Sequence, residues 1–143
     1  MEKSVFIIKP DAMKRSRKVK NVLLRAGLKI VSSKKIRLTP KMIDRFYDNL
    51  RHKRSIRQAT MDYLLNKTVE IGVVEGKSAI LRLVAVCGQW TNPKKCEPNT
   101  IRALLGGKQG KRINRSYTFW RNAIHRSRNK SEAKRDLKIF YTI

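Results

Sequence analysis

The stretch SVFIIK at residues 4–9 sets the frame of the chain. Its apolar run, Val5 to Ile8, is unbroken rather than alternating, which suits a short strand buried on both faces. Pro10 stops it, having no amide hydrogen to give to a ladder, and Asp11 stands next as a helix cap. Downstream, Val19, Val22, Leu23 and Ala26 recur at i, i+3, i+4 and i+7, with Gly27 as the stop signal. That spacing predicts an amphipathic helix whose outer face is almost wholly basic. Residues 28–38, LKIVSSKKIRL, alternate as a second strand. Thr39 and Pro40 open a helix carrying Met42, Ile43, Phe46, Tyr47 and Leu50, and another helix runs through Met61, Leu64 and Leu65.

A third strand, VEIGVVEG, spans residues 69–76, followed by a helix at 78–88 with Ile80, Leu81, Val84 and Ala85. A long connection rich in Pro, Gly and Lys leads from Gln89 to Thr118. The final strand is FWRNAIH, residues 119–125, and a last helix covers 130–141. Two strand–helix–strand halves with their crossovers on one face make an α+β architecture. The expected fold is a ferredoxin-like βαββαβ sandwich with a four-stranded, mainly antiparallel sheet and added helices. With 143 residues, 41% of them apolar, the chain suffices for one domain, residues 1–143, with its own core.

Charge narrows the surroundings. Thirty-five Lys and Arg against ten Asp and Glu leave a formal net charge of +25. No acid occurs between Asp11 and Asp44 or between Glu97 and Glu132, stretches that hold eleven and nine basic residues. Like charges so concentrated call for a polyanion: nucleic acid, an anionic membrane or nucleotides. The opening apolar run is too short for a signal peptide or a membrane span. Cys87 and Cys96 make no disulfide framework and no zinc spacing, so both are expected as reduced thiols of an intracellular protein. There is no internal repeat.

Of the two histidines, His52 lies in the hydrophilic RHKRS and has no expected role. His125 ends an apolar strand, where the chain turns polar at Arg126, Ser127 and Arg128. A strand-end histidine by itself reads first as a structural one. The next helix adds to it. Asn129, three residues before Glu132, forms a capping-box start, and Ala133, Leu137 and Phe140 form the apolar stripe. Asp136 falls on or beside that stripe, where a carboxylate needs a partner. His125 would supply it, giving an imidazole held in one tautomer by an acid, as in an activated nucleophile. Lys9, Tyr47, Arg102 and Asn122 are further candidates, each with a plainer reading as a snorkelling lysine, core packing, solvated charge or a strand residue.

Taken together, the motifs IIKPDA (7–12), FYDNL (46–50), VVEG (73–76), TNP (91–93), PNTIRA (98–103), NAIHRS (122–127) and EAKRDLKIF (132–140) resemble the nucleoside diphosphate kinase family over nearly the whole chain. The resemblance implies transfer of the terminal phosphate of a nucleoside triphosphate to a diphosphate through a phosphohistidine. His125 would be the nucleophile, Asp136 would stand for the glutamate that orients its other nitrogen, and Ser127 would support the same ring. Lys9, Tyr47, Thr91 and Arg102 fall at positions contacting phosphates or phosphohistidine, and Asn122 where the family contacts ribose. ATP and other nucleoside di- and triphosphates with Mg²⁺ would be substrates, and the family implies a homo-oligomer, hexamer or tetramer.

The sequence departs from that pattern in places. Arg126 replaces the glycine after the histidine, and Arg128 an aspartate two residues further on. A phosphate-binding arginine aligns with Val84, and Arg82 would face the far side of that helix. The base-stacking aromatic aligns near Ile56, with Phe119 opposite as a partial substitute. A glycine-rich basic insertion at about 103–118 is expected as a flap or a nucleic-acid arm. Lys108, Lys111, Arg112 and Arg115, with Arg126 and Arg128, form its candidate nucleic-acid patch. The alternative to an active kinase is a weak or inactive relative acting as a nucleic-acid-binding or structural component, in cytoplasm, nucleus or virus particle. The basic environment and Asp136 pull the His125 pKa in opposite directions, with a neutral ring at physiological pH as the expected outcome.

Overall fold

The computed structural model describes residues 1–143. The apolar run forms strand β1, Glu2–Ile8, at the inside of the sheet. A 3-10 turn at Pro10–Arg15 leads into helix α1, Ser16–Arg25, and strand β2, Lys29–Arg37. Helix α2, Pro40–Phe46, and helix α3, Arg54–Leu64, precede strand β3, Thr68–Gly76. Helix α4, Ala79–Cys87, helix α5, Ile101–Leu105, and a hairpin of β4, Lys111–Asn114, and β5, Tyr117–Phe119, follow. Strand β6, Ile124–Arg126, and helix α6, Lys130–Thr142, close the chain.

The main sheet has the order β2-β3-β1-β6 with every ladder antiparallel, the ferredoxin-like α+β arrangement. Because β1 is apolar at every position from Val5 to Ile8, it needs cover on both sides, and it has it. Val5 and Ile7 pack with Ile43, Phe46, Leu64, Ile139 and Phe140 on one face. Phe6 and Ile8 pack with Val19, Leu23, Leu83 and Ile101 on the other. Each such side chain contributes about 1.5–3 kcal/mol when fully buried. Gly72, opposite Phe6 across the β1–β3 ladder, leaves the space that the Phe6 ring fills. No helix is long and apolar enough to cross a membrane.

The structure corrects several local expectations. Asp11 is not a cap: it lies inside the 3-10 turn and accepts a hydrogen bond from the Tyr63 hydroxyl. The helix of residues 40–50 breaks at Tyr47, beyond which a 3-10 turn covers Asp48–Leu50. The connection from Gln89 to Thr118 is ordered, holding a 3-10 turn at Pro93–Lys95, α5 and the β4–β5 hairpin. FWRNAIH is not one strand. Phe119 ends β5, Asn122 lies between strands, and Ala123 adopts φ 72° so that the chain turns onto the sheet edge at Ile124. The Lys9 amide fixes that turn by donating to the Ala123 carbonyl at 2.8 Å. The capped start of α6 is as expected, Asn129 accepting from the Glu132 amide at 2.9 Å.

Candidate active site

His125 is the middle residue of β6 rather than its end, paired with Ile7 across the edge ladder. That register turns its ring toward α2 and α6. The residue is 7% exposed, and its ring lies edge-on to Tyr47 and Phe46, with centroids 5.1 and 6.0 Å away. Its Nε2 meets Asp136 Oδ2 at 3.2 Å, with Asp136 fully buried on α6. Nδ1 makes no protein hydrogen bond. Since Asp136 is a carboxylate, Nε2 carries the proton and donates, which leaves the Nδ1 lone pair free.

Asp136 is itself held in place. Ser127 Oγ donates to Oδ2 at 2.9 Å, so Ser127 supports the ring through the acid and not directly. Arg135 Nε donates to Oδ1 at 2.8 Å, while its Nη1 and Nη2 bind Asp48 Oδ1 and the Phe46 carbonyl at 2.7 and 2.8 Å. Burial alone would raise the Asp136 carboxyl, but the hydrogen bonds from His125 and Arg135 outweigh it and hold the group below its ordinary value. His125 is displaced downward, chiefly by burial. Asp136 opposes that shift, and Lys9 and Arg126 add to it. A neutral ring therefore follows more from desolvation than from the cationic surroundings.

Four more expected residues line the same cleft with His125: Lys9, Tyr47, Arg102 and Asn122. Lys9 is 6% exposed and donates to Asn122 Oδ1 at 2.7 Å. Burial, then Arg102, lower its pKa to about 7. Asn122 Nδ2 in turn donates to the Thr91 carbonyl at 3.2 Å, and exposed Thr91 also lines the cleft. Arg102, at 4% exposure, comes from the first turn of α5, which Thr100 caps by accepting from the Ala103 amide. Its guanidinium donates to the carbonyls of Ile124 at 2.9 Å and Trp90 at 3.0 Å and meets no carboxylate. The Tyr47 hydroxyl is buried without a partner, and burial pushes its pKa up.

The opposite wall is aromatic. Tyr117, Phe119 and Trp120 project from the β4–β5 hairpin, and Phe119 stands edge-on to Tyr63 at 5.7 Å. Ile56 is not on this wall but in an adjoining recess with Lys53, Arg54, Asn114 and Ser116; Tyr117 borders both spaces. The candidate patch of cations divides. Lys108, Lys111, Arg112 and Arg115 are exposed, whereas Arg126 is 5% exposed and lines the cleft. It is excluded from a surface patch because strand alternation turns it to the Phe6 face, under the end of α4. Arg128 is exposed but paired with Glu132 at 2.6 Å. Val84 is half-buried, and Arg82 reaches the Ala26 carbonyl at 3.3 Å on the far side of α4, so that helix gives the cleft no cation.

Sequence reasoning missed Arg135, Tyr63, Tyr117 and Trp120. For Arg135 a signal existed, since a carboxylate on a buried stripe needs a second partner and the preceding residue is a cation. Of the aromatic wall only Phe119 is expected from the sequence; Tyr117 and Trp120 carry no such signal, because their place depends on the β4–β5 hairpin.

A family model described as nucleoside diphosphate kinase matches residues 2–143. The nucleoside diphosphate kinase of Phenylobacterium zucineum is 32% identical over 143 residues, covering 99% of this chain and 94% of that protein. That of Archaeoglobus fulgidus is 33% identical over 144 residues, with 99% and 87% covered. Among solved structures, the Borrelia burgdorferi enzyme, a transition-state mimic with bound vanadate and ADP, superposes with a TM-score of 0.85 at 30% identity, covering 97% of this chain and 86% of that one. The Aquifex aeolicus enzyme gives 0.80 at 27% identity, with 97% and 94% covered. A match over nearly every residue, joined to a buried imidazole–carboxylate pair beside unpaired cations, identifies this chain as a member of the nucleoside diphosphate kinase family.

Proposed function

We propose that His125 is the phosphoryl carrier of the nucleoside diphosphate kinase reaction. The observation that carries this reading is the free Nδ1 on a ring whose Nε2 is bonded to buried Asp136. In the first step the Nδ1 lone pair attacks the terminal phosphorus of the triphosphate. The N–P bond forms, the bond from that phosphorus to its bridging oxygen breaks, and the diphosphate leaves with the electron pair. Positive charge developing on the ring is met by Asp136, which Ser127 and Arg135 hold still. In the second step a terminal oxygen of another diphosphate attacks the same phosphorus and the lone pair returns to Nδ1. Lys9 and Arg102 supply charge for the phosphoryl oxygens, and the orphan Tyr47 hydroxyl a donor.

Mg²⁺ enters on the nucleotide phosphates. No group of three His, Cys, Asp or Glu side chains converges to hold a metal, and Asp136 and Glu132 are engaged by His125, Ser127, Arg135 and Arg128. The base lies against Tyr117, Phe119 and Trp120, with Asn122 toward the ribose. A homo-oligomer, a nucleic-acid or other polyanion partner and an intracellular setting complete the reading. Exposed Lys108, Lys111, Arg112 and Arg115, none of them in an ion pair, support the polyanion.

The test is incubation with γ-labelled ATP and Mg²⁺ without acceptor. Acid-labile label is expected on the wild type and none on His125→Ala, with label passing to added diphosphate. A folded wild type that takes no label overturns the proposal.

A further inference from the structure

Arg126 is the one buried cation of the cleft to which the reaction above gives no part. Its Nη2 rests on the carbonyls of Gly88 and Gln89, just beyond α4, at 3.0 and 3.2 Å. Those are its only protein hydrogen bonds. Nε is buried without a partner, Nη1 has none, and no carboxylate pairs with the side chain. Arg102 reaches the same Gly88 carbonyl at 3.4 Å, so two guanidiniums with no acid between them meet at one point of the cleft. A guanidinium stripped of water and left with unused donors is strongly unfavourable unless an anion completes it. Its planar fork suits phosphate oxygens, two at a time.

We propose that Arg126 grips phosphate oxygens of the bound nucleotide beside Arg102, supplying from β6 the cation that α4 does not. The Gly88 and Gln89 carbonyls aim the guanidinium, and the phosphates complete its hydrogen bonds. The inference rests on the assignment of this cleft as the nucleotide site, which the His125→Ala labelling experiment tests separately.

Binding of ADP and of inorganic tripolyphosphate is measured by titration calorimetry on the wild type, Arg126→Met and Arg126→Lys, with thermal melts of each free protein. Arg126→Met is expected to weaken both ligands by about 10- to 100-fold, the range for a lost charge-assisted pair. Its free melting point should match or exceed that of the wild type, because an unpaired buried charge is gone. Arg126→Lys keeps charge without the fork and should fall between the two. A purely structural arginine would lower the melting point and leave affinity alone. ADP affinity of folded Arg126→Met within about twofold of wild type overturns the proposal. Should that variant not fold, Arg126→Lys decides by the same twofold limit. Loss of affinity in Arg126→Met while His125→Ala still takes label would sink the histidine assignment and leave this one standing.

Discussion

At the scale of single residues, the site turns on one proton. Burial lowers the His125 pKa from 6.5 while Asp136 pulls it up, so the ring is neutral at pH 7 and charges only below its ordinary value. With nucleotide saturating, whose phosphates favour the charged form of Lys9 over its free value of about 7, self-phosphorylation should hold near neutral pH and fall once His125 charges, below its ordinary value. Asp136→Asn removes the upward pull. The inflection should move to lower pH and the plateau rate should drop by about 10²-fold or more, as when an orienting acid loses its charge. Single-turnover labelling across pH reads both, and an unmoved inflection would show that Asp136 is only packing. Asp136 is recognisable from helical spacing, since a carboxylate on a buried stripe needs a partner. Arg126 is not: that it points under α4 while His125 points toward α6 depends on which face of β6 each helix covers.

At the scale of elements, α6 is the lever that brings Asp136 to the ring. It begins at Asn129, whose side chain takes the Glu132 amide, while Glu132 reaches back to Arg128 through both its amide at 3.1 Å and its guanidinium. Asn129→Ala should cost about 1 kcal/mol, the usual worth of such a cap. Urea unfolding measures it, and a change under about 0.3 kcal/mol would mean that the Arg128–Glu132 pair alone holds this helix end. Asp11 took a distant partner, Tyr63, instead of a cap, whereas the longer helices, the Asn129 cap and the inner strand were legible because each depends on neighbours in sequence. The β4–β5 hairpin was not, since its strands are short. Gly110 packs against Trp120, where a Cβ would lie 2.9 Å from the ring.

At the scale of the molecule, charge dominates. Of 35 Lys and Arg, only Lys20, Arg57, Arg128 and Arg135 stand in ion pairs with acids. The rest repel one another unless screened, and at about 0.1 M salt that repulsion still acts between charges within ~10 Å. Short duplex DNA should therefore bind at low salt, and its affinity should fall linearly in log–log form as salt rises. Fluorescence anisotropy over a salt series measures the slope. A flat line would leave the basic surface as solvated charge only.

The order of the main-sheet strands and the helices between them, the burial of β1, the capped α6 and the meeting of His125 with Asp136 were legible in the sequence, because periodicity and capping are local physics and a carboxylate on a buried stripe needs a partner. The tertiary structure decided the rest. It split FWRNAIH at Ala123, gave Ser127 and Arg135 to Asp136, and sank Arg126 against carbonyls 38 residues away in the chain. Strand alternation sends neighbouring side chains to opposite faces, and what waits on each face is fixed only when distant elements pack.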